Sequence, residues 1–97
     1  MASEGFHEPI ELLSQETMDM HRAVVSFMEE LEATDWYNQR VDACKDPQLT
    51  AILAHNRDEE KEHAVMLLEW IRRRDPKMDE ELKKRLFKSG PIAGPKD

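Results

Sequence analysis

Residues 56–63 read N-R-D-E-E-K-E-H, and they interrupt what is otherwise an apolar helix seam. Leu49, Leu53, Asn56, Glu60, His63, Leu67, Trp70 and Arg74 step 4, 3, 4, 3, 4, 3, 4 along the chain. That is the a/d spacing of a helix that packs along its length. Leucines and a tryptophan flank a centre made of an amide, a carboxylate and an imidazole. Burying a charge without a partner costs several kcal/mol, so a seam that carries Glu60 and His63 must give them something to bind. The two residues are three apart, as Glu-x-x-His, and project from one helix face. Glu-x-x-His is the half-site from which carboxylate-bridged di-iron bundles are built.

Working outward, Asp46 followed by Pro47 supplies an N-cap with proline in the first turn, so a helix is predicted from Pro47 to about Arg74. Arg72, Arg73 and Arg74 lie in its last turn, where cations complement the helix dipole. Before it, Leu13, Thr17, Met20, Val24, Phe27 and Leu31 step 4, 3, 4, 3, 4, which predicts a first helix from about Pro9 to about Val41. Asp75-Pro76 repeats the cap signal and opens a short third helix to about Lys88, with Met78, Leu82 and Leu86 as its apolar side. Residues 1–8 are expected to be a flexible N-terminus, 9–88 one helical domain and 89–97 a flexible tail. The class is all-α: an antiparallel two-helix hairpin plus a short C-terminal helix. With the turn centred near Cys44, Glu30 lies fourteen residues before it and Glu60 sixteen after. At 1.5 Å per residue the two are level within ~3 Å. Met20, Ala23, Phe27 and Glu30 step 3, 4, 3, so Glu30 also borders the first helix's seam.

Ninety-seven residues bound a single small domain with a thin core, and oligomerisation is the expected remedy. The net charge of −7 argues against nucleic acid and against an anionic membrane as partners. No apolar run approaches the ~18 residues of a membrane span. Met1–Glu11 lacks the basic and hydrophobic regions of a signal peptide. The single Cys44 excludes an intrachain disulfide and fits a reducing, cytoplasmic setting.

A di-iron carboxylate site takes one Glu from each of two helices and a Glu-x-x-His from each of two more. This chain offers half of that set: Glu30, Glu60 and His63. A two-fold dimer would supply the other half, completing a four-helix bundle. Carboxylates and imidazoles suit Fe, Mn or Zn. Glu29, Glu32 and Asp35 lie one face round from Glu30 and could concentrate cations, with Trp36 and Tyr37 following directly. Each feature has a plainer reading. Glu-x-x-His pairs on helices are mostly solvated, acidic runs are mostly solvated faces, and His21 and His55 are expected as surface or hydrogen-bonded residues. The methionines are expected to pack, and Cys44 to be incidental. Three functions stay open on the residues alone: an Fe(II)-oxidising enzyme, a metal store without oxygen chemistry, and a helical oligomerisation module whose polar seam sets register.

The stretches H-E-P-I-E (7–11), M-E-E-L-E-A-T-D-W-Y-N-Q-R-V-D-A (28–43), L-T-A-I-L-A-H-N-R-D-E-E-K-E-H-A (49–64) and L-E-W-I-R-R (68–73) resemble the encapsulated ferritins, cargo proteins of encapsulin nanocompartments. The resemblance runs from about His7 to Phe87. It implies a ferritin-like four-helix bundle completed by dimerisation, in an annular decamer that is a pentamer of dimers. It implies a di-iron ferroxidase centre between two chains, with Glu30, Glu60 and His63 as metal ligands and Tyr37 beside them. Glu29, Glu32 and Trp36 would form a secondary site where iron or other divalent cations enter. The family oxidises Fe(II) while the encapsulin shell holds the mineral, so the implied location is the cytoplasm, inside an encapsulin nanocompartment. Family members also carry a short C-terminal localisation peptide. Here Lys96-Asp97 follows no apolar Leu-x-x-Leu-like segment, so the sequence in hand leaves encapsulation open.

Overall fold

A computed structural model describes residues 5–95. After a 3-10 turn at Ile10–Leu12 come three helices: α1 (Gln15–Ala43), α2 (Pro47–Arg74) and α3 (Pro76–Arg85). There is no strand among the described residues, and no helix is long and apolar enough to cross a membrane. α1 packs along α2 as the antiparallel hairpin, and α3 folds against α2. Of the expected flexible terminus (1–8) and tail (89–97), positions 1–4 and 96–97 lie outside the described residues.

α1 starts six residues later than the heptad pattern predicts, at Gln15 rather than Pro9. Pro9 begins only the 3-10 turn, and Leu13 then turns extended, with φ −98° and ψ 137°. Ser14 is the true cap: its Oγ accepts the Thr17 N–H at 3.1 Å, satisfying one of the donors that an α-helix start leaves orphaned. The far end of α3 also differs, since the helix stops at Arg85 rather than Lys88. Leu86 is extended and Phe87 left-handed, with φ 58°.

The turn is built as the sequence predicts. Asp46 Oδ2 accepts the Leu49 N–H at 2.7 Å, and Pro47 occupies the first turn. Thr50 Oγ1 donates to the Cys44 carbonyl at 3.2 Å, tying the loop to α2. Asp75 repeats the device for α3, its Oδ1 accepting from Lys77 N at 3.1 Å and Met78 N at 3.0 Å. Arg72, bonded to Glu69 of its own helix at 2.7 Å, then fastens α3 to α2 through Asp79 at 2.6 Å.

On α2 the tightest packing lies beside the predicted seam rather than on it. Among the described residues, the buried ones are Ala23 on α1 and Ala64 and Ile71 on α2. Ala64 follows His63 by one residue, ~100° round the helix. Alanine at 23 and 64 lets the two backbones approach closely. The heptad line of Asn56, Glu60, His63, Leu67 and Trp70 is only half-buried by the hairpin. That line therefore borders the open side of the hairpin, where a further pair of helices would complete a bundle.

Candidate metal centre

α1 brings Glu30 to the level of Glu60 and His63 on α2, and ligand atoms of all three lie within 4.8 Å of one another. His63 Nδ1 stands 3.4 Å from Glu30 Oε2 and 3.4 Å from Glu60 Oε2. Arg57 also spans the α1–α2 hairpin in this register, its Nη1 donating to Asn38 Oδ1 at 3.1 Å.

The electrostatics of this cluster are unfavourable without a cation. Glu30 Oε2 is buried and accepts no hydrogen bond, because its approach to His63 lacks hydrogen-bond geometry. The neighbouring Glu60 carboxyl pushes the Glu30 pKa above the usual carboxylate range, and burial adds to that, against the pull of His63. For His63, burial works against the charged ring, but the Glu60 and Glu30 carboxyl groups outweigh it and raise its pKa. Two carboxylates and an imidazole nitrogen aimed at one point, one oxygen of them orphaned, fit a divalent cation. Such an ion supplies the positive charge and the missing partner together.

The other predicted site residues are not part of this cluster. Tyr37 is half-buried two turns along α1, with the Arg40 guanidinium 5.2 Å above its ring. Trp36 is half exposed and lines a shallow surface hollow with Gln39, Arg40 and Ala43. Glu29 is exposed and Glu32 half-buried. His55 is exposed and pairs with Glu59 at 3.3 Å, while His21 stacks against Phe6 with ring centroids 4.5 Å apart. The sequence reading missed the Arg57–Asn38 bridge. No spacing rule announces a pair nineteen residues apart on two helices, and only the hairpin register brings it together.

A helical hairpin whose open side carries one Glu from the first helix and Glu-x-x-His from the second presents the ligand types of half a carboxylate-type metal bundle. The comparisons with known proteins make the assignment specific. The sequence model of the EncFtn-like family matches residues 5–89, and the chain belongs to that family. It is 66% identical over 91 residues to an encapsulated ferritin-like protein of Rhodospirillum rubrum, covering 94% of this chain and 65% of that one. The chain thus spans just under two thirds of that relative's length. Over 47 residues it is 45% identical to an encapsulin nanocompartment cargo protein of Myxococcus xanthus, covering 48% of this chain and 36% of that one. The crystal structure of protein ne0167 from Nitrosomonas europaea superposes with a TM-score of 0.89 at 69% identity, covering 93% of this chain and 99% of that one.

Proposed function

We propose that this chain is a ferroxidase, oxidising Fe(II) to Fe(III) at a di-iron centre formed between two copies, each contributing Glu30, Glu60 and His63. The observation that carries the reading is the half-set of ligands with its orphaned Glu30 oxygen. A second copy related by a two-fold axis brings the total to four carboxylates and two imidazoles, and four carboxylates neutralise two divalent ions. The hairpin leaves the required side open. A groove of about 510 Å³ runs beside His63, lined by Ser26, Met66, Leu67 and Trp70 among others.

Iron enters as substrate. Two Fe(II) ions held side by side deliver one electron each to O₂ or peroxide, and with O₂ the pair of electrons and two protons give hydrogen peroxide. The residues of this chain do the positioning. Glu30 and Glu60 provide hard oxygen ligands, suited to both iron oxidation states. His63 holds a cation through an unprotonated ring nitrogen, so wherever the ring is protonated binding displaces a proton. Tyr37 is assigned a place beside the centre. Glu29, Glu32 and Trp36 are assigned to a secondary site that draws Fe(II) or other divalent cations inward. The oxidised iron passes to storage inside an encapsulin shell, and the working assembly is an annular decamer. The names of the Rhodospirillum and Myxococcus relatives support the shell as partner.

Stopped-flow absorbance after adding Fe(II) to aerobic protein tests the reaction. Wild type should oxidise Fe(II) well above the buffer rate, and Glu60→Ala and His63→Ala should fall to the buffer rate while keeping their helix content. A Glu60→Ala protein that oxidised Fe(II) at the wild-type rate would remove the site assignment. Anaerobic iron loading with no absorbance change on admitting O₂ would instead make the site a metal store.

A further inference from the structure

Met66 departs from the expectation that the methionines pack, since it is 58% exposed. It follows His63 by three residues, so the two side chains are neighbours on one face of α2. Both line the groove of about 510 Å³ beside the metal cluster, and Leu67 and Trp70 continue its α2 wall. The other methionines are placed differently. Met18, Met20 and Met28 are half-buried on α1, and Met78, 38% exposed, lies on α3. None of these four lines the groove. Packing does not account for a polarizable thioether on an open groove wall next to a metal ligand. Its chemistry does, because a thioether takes up an oxygen atom readily and reversibly.

We propose that Met66 is the oxidation site of the protein's own turnover, its sulfur taking an oxygen atom from hydrogen peroxide formed at the neighbouring metal centre. This rests on the ferroxidase reading, which supplies the peroxide. The step balances. The Met66 sulfur gives an electron pair to one peroxide oxygen, and an S–O bond forms as the O–O bond breaks. The proton on the transferred oxygen passes to the departing hydroxide, which leaves as water. Sulfur is oxidised by two electrons and peroxide is reduced. The product is methionine sulfoxide, which dedicated reductases return to methionine. The oxidant arises beside His63, so the reaction needs a path along the groove and none from bulk solvent. A second copy lying over this side confines peroxide there rather than barring it. Trp70, the aromatic side chain of the same groove, is the competing target. The Arg74 guanidinium lies 4.0 Å from the centre of its ring, and a cation held there opposes removal of electrons from the indole. The sulfur is therefore the preferred acceptor. Oxidation replaces an apolar side chain on the groove wall by a polar one, and so marks copies that have turned over.

Peptide mass spectrometry of the full chain after repeated aerobic additions of Fe(II) tests the proposal, with catalase present to remove peroxide from bulk solution. The expected result is sulfoxide that accumulates at Met66 with each addition, several-fold ahead of Met78, which is also exposed but lies on α3. Glu60→Ala given the same additions should bring Met66 down to the level of Met78. Wild type loaded first with Zn(II) should do the same, and it keeps the native fold while blocking the centre. Equal sulfoxide at Met66 and Met78, undiminished sulfoxide at Met66 in either blocked sample, or oxygen added to Trp70 instead overturns the proposal. Fe(II) oxidation is followed by absorbance in the same samples, which keeps the two readings apart. Wild type that oxidises Fe(II) without favouring Met66 overturns the assignment of Met66 and leaves the ferroxidase standing. Wild type that does not oxidise Fe(II) removes the ferroxidase and this proposal with it.

Discussion

Glu30 is the residue on which the proposed chemistry turns, because its Oε2 is buried and accepts no hydrogen bond. Such an acceptor opposes the fold without a cation and favours it with one. Glu30→Gln should therefore melt at or slightly above wild type in chelator, yet lose the stabilisation that metal gives wild type. At a free metal concentration 100 times Kd that stabilisation is about 2.7 kcal/mol. Thermal melts with and without Co(II) or Zn(II), which bind without oxygen chemistry, measure both arms, and a Glu30→Gln protein still stabilised by metal would count against the ligand role. At this scale the sequence was informative for a simple reason. Glu60 and His63 sit three apart on one helix, so their shared face follows from helix geometry alone. Glu30 required a turn position as well, and Asp46-Pro47 supplied it. The burial of Oε2 and the Arg57–Asn38 bridge were not legible, since both depend on how closely α1 approaches α2.

The elements were legible wherever a cap and a proline coincide, as at the starts of α2 and α3. α1 was misplaced because Pro9 fits a helix start equally well, while the side chain of Ser14 is what captures the orphan Thr17 N–H. Ser14→Ala should cost about 1 kcal/mol. For a domain of this size that lowers Tm by roughly 4–8 °C, read by circular dichroism. Ala at Pro9 should do far less. The α2–α3 joint carries a pH prediction. Arg72, and after it Arg73, hold the Glu69 carboxyl at about 2, below its usual value of 4.5. A depressed folded-state pKa gives stability that is complete above the unfolded value and is lost as pH falls through the folded one. Melting temperature should thus fall between pH 4.5 and about 2, and Glu69→Gln should flatten that part of the profile. Identical profiles would show that the Arg72–Glu69 bridge does not couple to folding.

At the scale of the whole molecule, the hairpin leaves one of its faces half-covered. The buried line runs through Ala23, Ala64 and Ile71, and the seam that carries Glu60 and His63 is left half-covered. The heptad pattern marked the line through Glu60 and His63 as the packing surface of α2, whereas the buried residues Ala64 and Ile71 lie beside it, a distinction that one chain's spacing does not carry. Metal should favour that second copy, because the carboxylates of two facing half-sites repel one another until cations join them. Size-exclusion chromatography should accordingly show a shift to larger species on adding Fe(II) anaerobically, and coincident profiles would contradict it. The most direct test of the central claim counts metal and protein together. Native mass spectrometry of anaerobically loaded protein should show two irons for every two chains, with Glu60→Ala binding neither. One iron on each separate chain, or iron retained by Glu60→Ala, would contradict a di-iron centre shared between copies.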